Sequence, residues 1–272
     1  MTVMSGYIEE VSKSKISVQN LNKYFQVDGK AKQILDNINF SINAGRFVCL
    51  LGPSGCGKST ILNLVSGLDR EYEGKIFIEG GLVYRGTGSR EPSANMSYLF
   101  QDPRLLPWYT VEKNLFFALE CAKVPRSEWK EKVYKMLKLV QLDGVAKQYP
   151  HELSGGMQHR VSIARAFITN PNIILMDEPF SALDELTARG IRQILLDIWL
   201  EDMKTVVFVT HNAMEATFLA DDIIMFSANP GKIREIYTVN LPRPRQYDSQ
   251  ELFSENQKVM SRFMDIIGRK AI

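Results

Sequence analysis

Nine consecutive residues, Gly52-Pro53-Ser54-Gly55-Cys56-Gly57-Lys58-Ser59-Thr60, follow an apolar run at Phe47–Leu51 and precede a helix-forming run at Ile61–Val65. This is the pattern of a phosphate-binding loop between a strand and a helix. Its glycines let the backbone fold so that successive N–H groups face phosphate oxygens, while the new helix presents the positive end of its dipole. Lys58 would reach the β- and γ-phosphates of a nucleotide, and Ser59 would set its hydroxyl on Mg²⁺. Cys56 reads as a small filler within the loop and not as a nucleophile.

A second apolar run, Ile173–Met176, ends abruptly in Asp177-Glu178-Pro179. A carboxylate at the end of a buried strand is costly unless a cation or hydrogen-bond donors satisfy it, and the Mg²⁺ of a bound nucleotide would satisfy Asp177. Glu178 is placed to orient, or take a proton from, a water attacking the γ-phosphate. Alone, the two acids would suit the start of a helix after a strand. Beside the phosphate loop they read as catalytic machinery.

Leu153-Ser154-Gly155-Gly156-Met157-Gln158 precedes a helical run at Val161–Phe167. Ser154, Gly155 and Gly156 at a helix start make another phosphate cradle. Two such surfaces on one chain make sense if a second copy brings its cradle to the nucleotide held by the first. Here the sequence resembles the ATP-binding subunits of ABC transporters, whose signature is Leu-Ser-Gly-Gly-Gln or a close variant. Met157 and His159 depart from the commonest residues and are read as tolerated.

The resemblance covers nearly the whole chain and implies further roles. Gln101, after Met96–Phe100, matches the glutamine that couples Mg²⁺ and the attacking water to the membrane partner. Ser181–Asp184 matches the loop that crosses the dimer interface, which places Asp184 there, and His211, after Thr205–Thr210, matches the switch histidine at the γ-phosphate. Phe25 fits the register of the aromatic that stacks on adenine, with Tyr24 the alternative. The stretches Gln101–Trp108, Asn229–Ile233 and Leu241-Pro-Arg-Pro-Arg245 look like the import ATPases for nitrate, sulfonate, taurine and bicarbonate.

That branch implies ATP and Mg²⁺ as ligands, a homodimer, two transmembrane permease subunits and, indirectly, an extracytoplasmic solute-binding protein. It also implies a peripheral place on the cytoplasmic face of the membrane. Leu105, Leu106 and Trp108 fit a groove for a permease helix or, equally, packing inside a helical subdomain. The competing readings are an exporter subunit and a soluble ABC-type ATPase of DNA repair or translation. The latter usually carries a long coiled coil or two cassettes in one chain, and neither is visible here.

The elements that must position these residues follow from patterning. Apolar runs bounded by turn residues alternate with segments of helical period, which predicts an α/β fold with a mixed, mainly parallel sheet; the resemblance implies that this is a phosphate-loop ATPase core. Ile16–Leu21 and Ile34–Ile42 alternate as strands, with turns at Asp28-Gly29 and Ala44-Gly45, and predict an N-terminal antiparallel lobe. Between Val111 and Leu142 the apolar positions step by three or four, the spacing of helices. The expected organisation is one cassette over 1–272, with a catalytic core at 16–102 and 162–240. A helical subdomain occupies 103–161 and a short extension 241–272, helical from Glu251 to Ile267.

Composition narrows the class further. The 272 residues carry 33 Lys+Arg against 31 Asp+Glu and 45% hydrophobic residues, enough for a large core and too balanced in charge to suggest a nucleic-acid partner. Cys49, Cys56 and Cys121 do not form a disulfide framework or a zinc pattern. The start, MTVMSGYIEEVSKSK, lacks the apolar run of a secretory signal, and no stretch approaches the roughly 18 apolar residues of a membrane span.

Overall fold

The computed structural model describes residues 14–83 and 95–268. Most of the N-terminal segment, residues 1–13, and the last four residues of the C-terminal extension lie outside the described residues. In chain order the first elements are β1 (Ser14–Val27), β2 (Lys30–Asn43), β3 (Phe47–Leu51), α1 (Lys58–Ser66), β4 (Glu73–Ile78), β5 (Gly81–Val83), β6 (Met96–Leu99), α2 (Val111–Cys121) and α3 (Arg126–Leu139). There follow α4 (Gly155–Phe167), β7 (Ile173–Asp177), α5 (Glu185–Asp202), β8 (Thr205–Thr210), α6 (Ala213–Leu219), β9 (Asp222–Ser227), β10 (Lys232–Thr238) and α7 (Gln250–Gly268). The chain forms two compact units, one of residues 1–94 with 205–272 and the other of residues 95–204.

The first unit contains the antiparallel lobe that the alternation predicts, in the order β2-β1-β4-β5. Asp28 and Gly29 take φ of 50° and 73°, the left-handed pair that a two-residue hairpin needs to match strand twist. They join Val27 to its partner Lys30. The inward positions pair apolar with apolar across the strands, Val18 with Phe40 and Ile76, and Ile16 with Ile42 and Ile78. These residues are at most 7% exposed, which fixes the register because a one-residue slip would turn them all to water.

The same unit holds strands in the order β10-β9-β3-β8. β3 pairs in parallel with both β8 and β9, and β10 pairs antiparallel with β9. Every residue of β3 and β8 is buried, as expected of parallel strands covered on both faces. The second unit contains the parallel pair β6 and β7 with α2, α3, α4 and α5. The expected helical stretch after Val111 is two helices, broken at Lys123, which has φ of 57°.

The α/β class is therefore as expected, with two local differences. α4 begins at Gly155 and not at Val161, because Ser154 supplies an N-cap that outweighs the poor helix propensity of two glycines. β10 carries no apolar run and alternates between half-buried and exposed residues, as an edge strand does. Among the described residues no helix is long and apolar enough to cross a membrane.

Candidate functional site

In the first unit, β3 delivers the chain into the loop Gly52–Gly57. Gly55 and Gly57 have φ of 75° and 97°, and Gly57 is the left-handed N-cap of α1, with no side chain capping the helix and no acid in its first turn. Backbone N–H groups at that end have no intrahelical carbonyl, so the electropositive terminus suits an anion. Lys58 is 4% exposed, and its Nζ donates to the carbonyls of Gly52 at 2.8 Å and Pro53 at 3.0 Å, bracing the loop from within. Ser54, Gly55 and Ser59 are exposed, and Pro53 and Thr60 are half-buried.

Cys56 is 1% exposed, and burial pushes its thiol pKa up despite the nearby Lys58 ammonium, which fits a filler residue. A Cβ at Gly57 would lie 2.5 Å from Leu35 Cδ2 in a conformation that side chains rarely adopt. Gly57→Ala is therefore expected to lower stability by about 1–3 kcal/mol. Calorimetry should show a lower unfolding midpoint, and an unchanged midpoint would contradict this account of the loop.

His211 lies exposed immediately after β8. Its neighbours are fixed: Thr210 Oγ1 accepts from the Asn212 N–H at 3.0 Å and donates to Glu215, which is 8% exposed. Asn212 Oδ1 in turn caps α6 by accepting from the N–H groups of Met214 and Glu215. Phe25 and Tyr24 are 42% and 43% exposed on β1, and the Lys23 ammonium lies 4.8 Å from the Phe25 ring centre.

In the second unit, Asp177 closes β7 and its Oδ2 accepts from Tyr98 Oη at 3.4 Å. Burial, followed by the Asp177 charge, pushes the Tyr98 phenol above its ordinary range. Glu178 has φ of 43°, a left-handed turn that swings the chain out of the strand. Its carbonyl accepts from the Ser181 N–H at 3.2 Å and Oγ at 3.0 Å, and Ser181 Oγ accepts from Gln101 Nε2 at 3.0 Å. Gln101 and the Glu178 backbone are thus tied together through one serine.

Ser154 caps α4 by accepting from the Met157 N–H at 3.3 Å. Ser154 and Gly155 are exposed, with open space around Gly155. Gly156 has to be small, since a Cβ there would lie 2.7 Å from Thr187 Cγ2. Asp184 caps α5 through the Thr187 N–H at 3.0 Å, and that bond holds its carboxyl below the usual carboxylate range. His159 is 5% exposed, and burial pushes its imidazole pKa down, so it is a core residue.

The loop after Gln101 is held by two side chains that patterning did not single out. Asn114, fully buried, accepts from the Leu106 N–H at 2.8 Å and donates to the carbonyls of Leu106, Tyr109 and Thr110 at 3.1–3.2 Å. Arg165 donates to the carbonyls of Pro103 and Arg104, both at 2.8 Å. Leu105 and Leu106 are half-buried, and the Trp108 ring is left 67% exposed. Also unforeseen was the network of Thr210, Asn212 and Glu215, whose sequence signal is an acid five residues after a strand-ending threonine.

The first unit's buried lysine wrapped by a glycine-rich loop at a strand end, and the second unit's adjacent acids at the end of a parallel strand, are the features of the phosphate-loop nucleoside triphosphatases of the α/β class. A family profile described as ABC transporter matches residues 35–181. The aliphatic sulfonates import ATP-binding protein SsuB of Bacillus cereus is 42% identical over 248 residues, 91% of this chain and 95% of that protein. The taurine import ATP-binding protein TauB of Rhizobium johnstonii is 42% identical over 205 residues, 75% of this chain and 76% of that protein. Among solved structures, the dimeric post-hydrolysis state of the ATP-binding cassette MJ0796, bound to ADP and Pi, superposes with a TM-score of 0.70 at 32% identity. That match covers 84% of this chain and all of the other. The chain belongs to the ABC transporter family and is an ATPase cassette of it.

Proposed function

We infer that this chain is the ATP-hydrolysing subunit of an importer, acting as a homodimer that sandwiches two ATP molecules and drives two permease subunits. The observation that carries the reading is the presence of two separate phosphate-suited helix starts on one chain, Gly57 at α1 and Ser154 at α4. In this reading the loop Gly52–Thr60 of one copy holds the phosphates, and Ser154, Gly155 and Gly156 of the other close on the γ-phosphate, with Asp184 crossing between copies. Phe25 stacks on adenine. Lys58 and the cradle N–H groups stabilise charge as it develops on the transferred phosphoryl group. Glu178 accepts the proton of the attacking water, and His211 holds that water against the γ-phosphate.

Ser59, Gln101 and Asp177 offer hydroxyl, amide and carboxylate oxygens, a donor set suited to a hard divalent cation. Mg²⁺, when bound, would neutralise charge on the β- and γ-phosphates. The catalytic core at 16–102 and 162–240 would move with nucleotide, while the helical subdomain at 103–161 and the exposed Trp108 face the permease. The solute is a small anion. The names of the SsuB and TauB relatives support a sulfonate or taurine, delivered to the permease by an extracytoplasmic binding protein.

The test is purification from membranes. Recovery with two permease subunits at the cytoplasmic face supports the reading. Recovery only as a free protein, or on DNA or ribosomes, overturns it.

A further inference from the structure

Helix α6 starts two residues after His211 and is held at both ends. Its start is fixed by the Thr210, Asn212 and Glu215 network described above. Its end is fixed by the C-terminal extension. Arg245, 3% exposed, donates from Nη1 to the carbonyls of Thr217 at 2.7 Å, Phe218 at 3.1 Å and Ala220 at 2.7 Å. Its Nε and Nη2 both donate to the Leu241 carbonyl, at 3.1 and 3.0 Å. Arg243 adds a bond to the Leu219 carbonyl and an ion pair with Asp221 at 3.0 Å. Tyr247 lies against Phe218 with ring centres 4.1 Å apart, and Thr217 Oγ1, which donates to the Ala213 carbonyl at 2.7 Å, lies 3.3 Å from Asn256 Oδ1 of α7.

The last carbonyls of any helix lack intrahelical partners, and a cation there also matches the helix dipole. A helix of seven residues is too short to sustain itself, so the shape of α6 depends on its caps together with the packing of its buried residues. Arg245 can span two carbonyls of α6, that of its C-cap Ala220 and one of the extension because its guanidinium is a planar fork with five donors.

We propose that Arg245 is a positioning residue for His211: through α6 it holds the turn Thr210–Asn212, which makes the C-terminal extension part of the hydrolytic machinery. The inference rests on the reading of His211 as the group at the γ-phosphate. A histidine that must face one oxygen loses effectiveness when its support shifts by a fraction of an ångström, whereas ATP held by the phosphate loop and Phe25 does not depend on α6.

The experiment compares steady-state ATP hydrolysis by the full-length protein, the Arg245→Ala and Arg245→Lys variants, and His211→Ala. Arg245→Ala should lower kcat by about tenfold or more with KM for ATP within about twofold of the parent, and Arg245→Lys should fall between. Hydrogen exchange at residues 213–220 should quicken in both. If Arg245→Ala does not fold, Arg245→Lys decides by the same split. Parent kcat in the folded Arg245 variants, with His211→Ala inactive, overturns the inference alone. So does a change in KM that matches the change in kcat. His211→Ala at the parent rate overturns the histidine reading and the inference with it.

Discussion

Glu178→Gln is expected to bind ATP with parent affinity and to turn it over about 10²- to 10⁴-fold more slowly. The amide keeps the shape of the carboxylate but cannot take a proton from water at neutral pH. The backbone at this position does not depend on the side chain: the left-handed φ of 43° is held by the two bonds that Ser181 makes to the Glu178 carbonyl. Neither bond changes when the side chain becomes neutral, so the loss falls on the chemical step. The measurement is an ATP binding titration paired with phosphate release in a single turnover. Hydrolysis at the parent rate would show that another group serves as the base. Because the reaction stalls after closure, ATP should also shift the variant, more than the parent, to twice its mass on size exclusion.

Lys58→Ala should fail at an earlier step, with ATP affinity reduced by about 10- to 100-fold. The scale follows from a charge-assisted hydrogen bond contributing about 1.5–3 kcal/mol, at about 1.4 kcal/mol per factor of ten. Lys58 is 4% exposed, and its ammonium bonds the carbonyls of Gly52 and Pro53, so the alanine removes both the charge that meets phosphate and the inner brace of the loop. Titration calorimetry with ATP gives the answer directly. Unchanged affinity would contradict the role assigned to Lys58. The two variants together separate binding from turnover, since one carries the defect in affinity and the other in rate.

The parts of the site that were legible in the sequence are those that constrain the backbone. The phosphate loop needs glycine at fixed positions, and β3, β7 and β8 read as mainly apolar runs because nearly every residue of each is buried. The hairpin at Asp28-Gly29 was legible for the same reason, a turn that few other residue pairs can make. What escaped were polar side chains whose partners are remote in sequence. Asn114, Glu215 and Arg245 look like surface residues in a one-dimensional reading, yet all three are buried and bonded, mostly to backbone. β10 escaped because an edge strand with alternating exposure lacks an apolar run, and the start of α4 because glycine signals a loop until its cap is recognised.

Under the proposed docking of a permease subunit on Trp108, the Asn114 latch has an energetic consequence. Its four bonds to Leu106, Tyr109 and Thr110 freeze a segment that would otherwise sample many shapes. Ordering a free loop on contact would cost about 1–2 kcal/mol for each residue fixed. Here that backbone entropy is already lost in the uncomplexed protein, so the segment that carries the indole is pre-ordered. Binding there is spared the loop-ordering part of the cost of association.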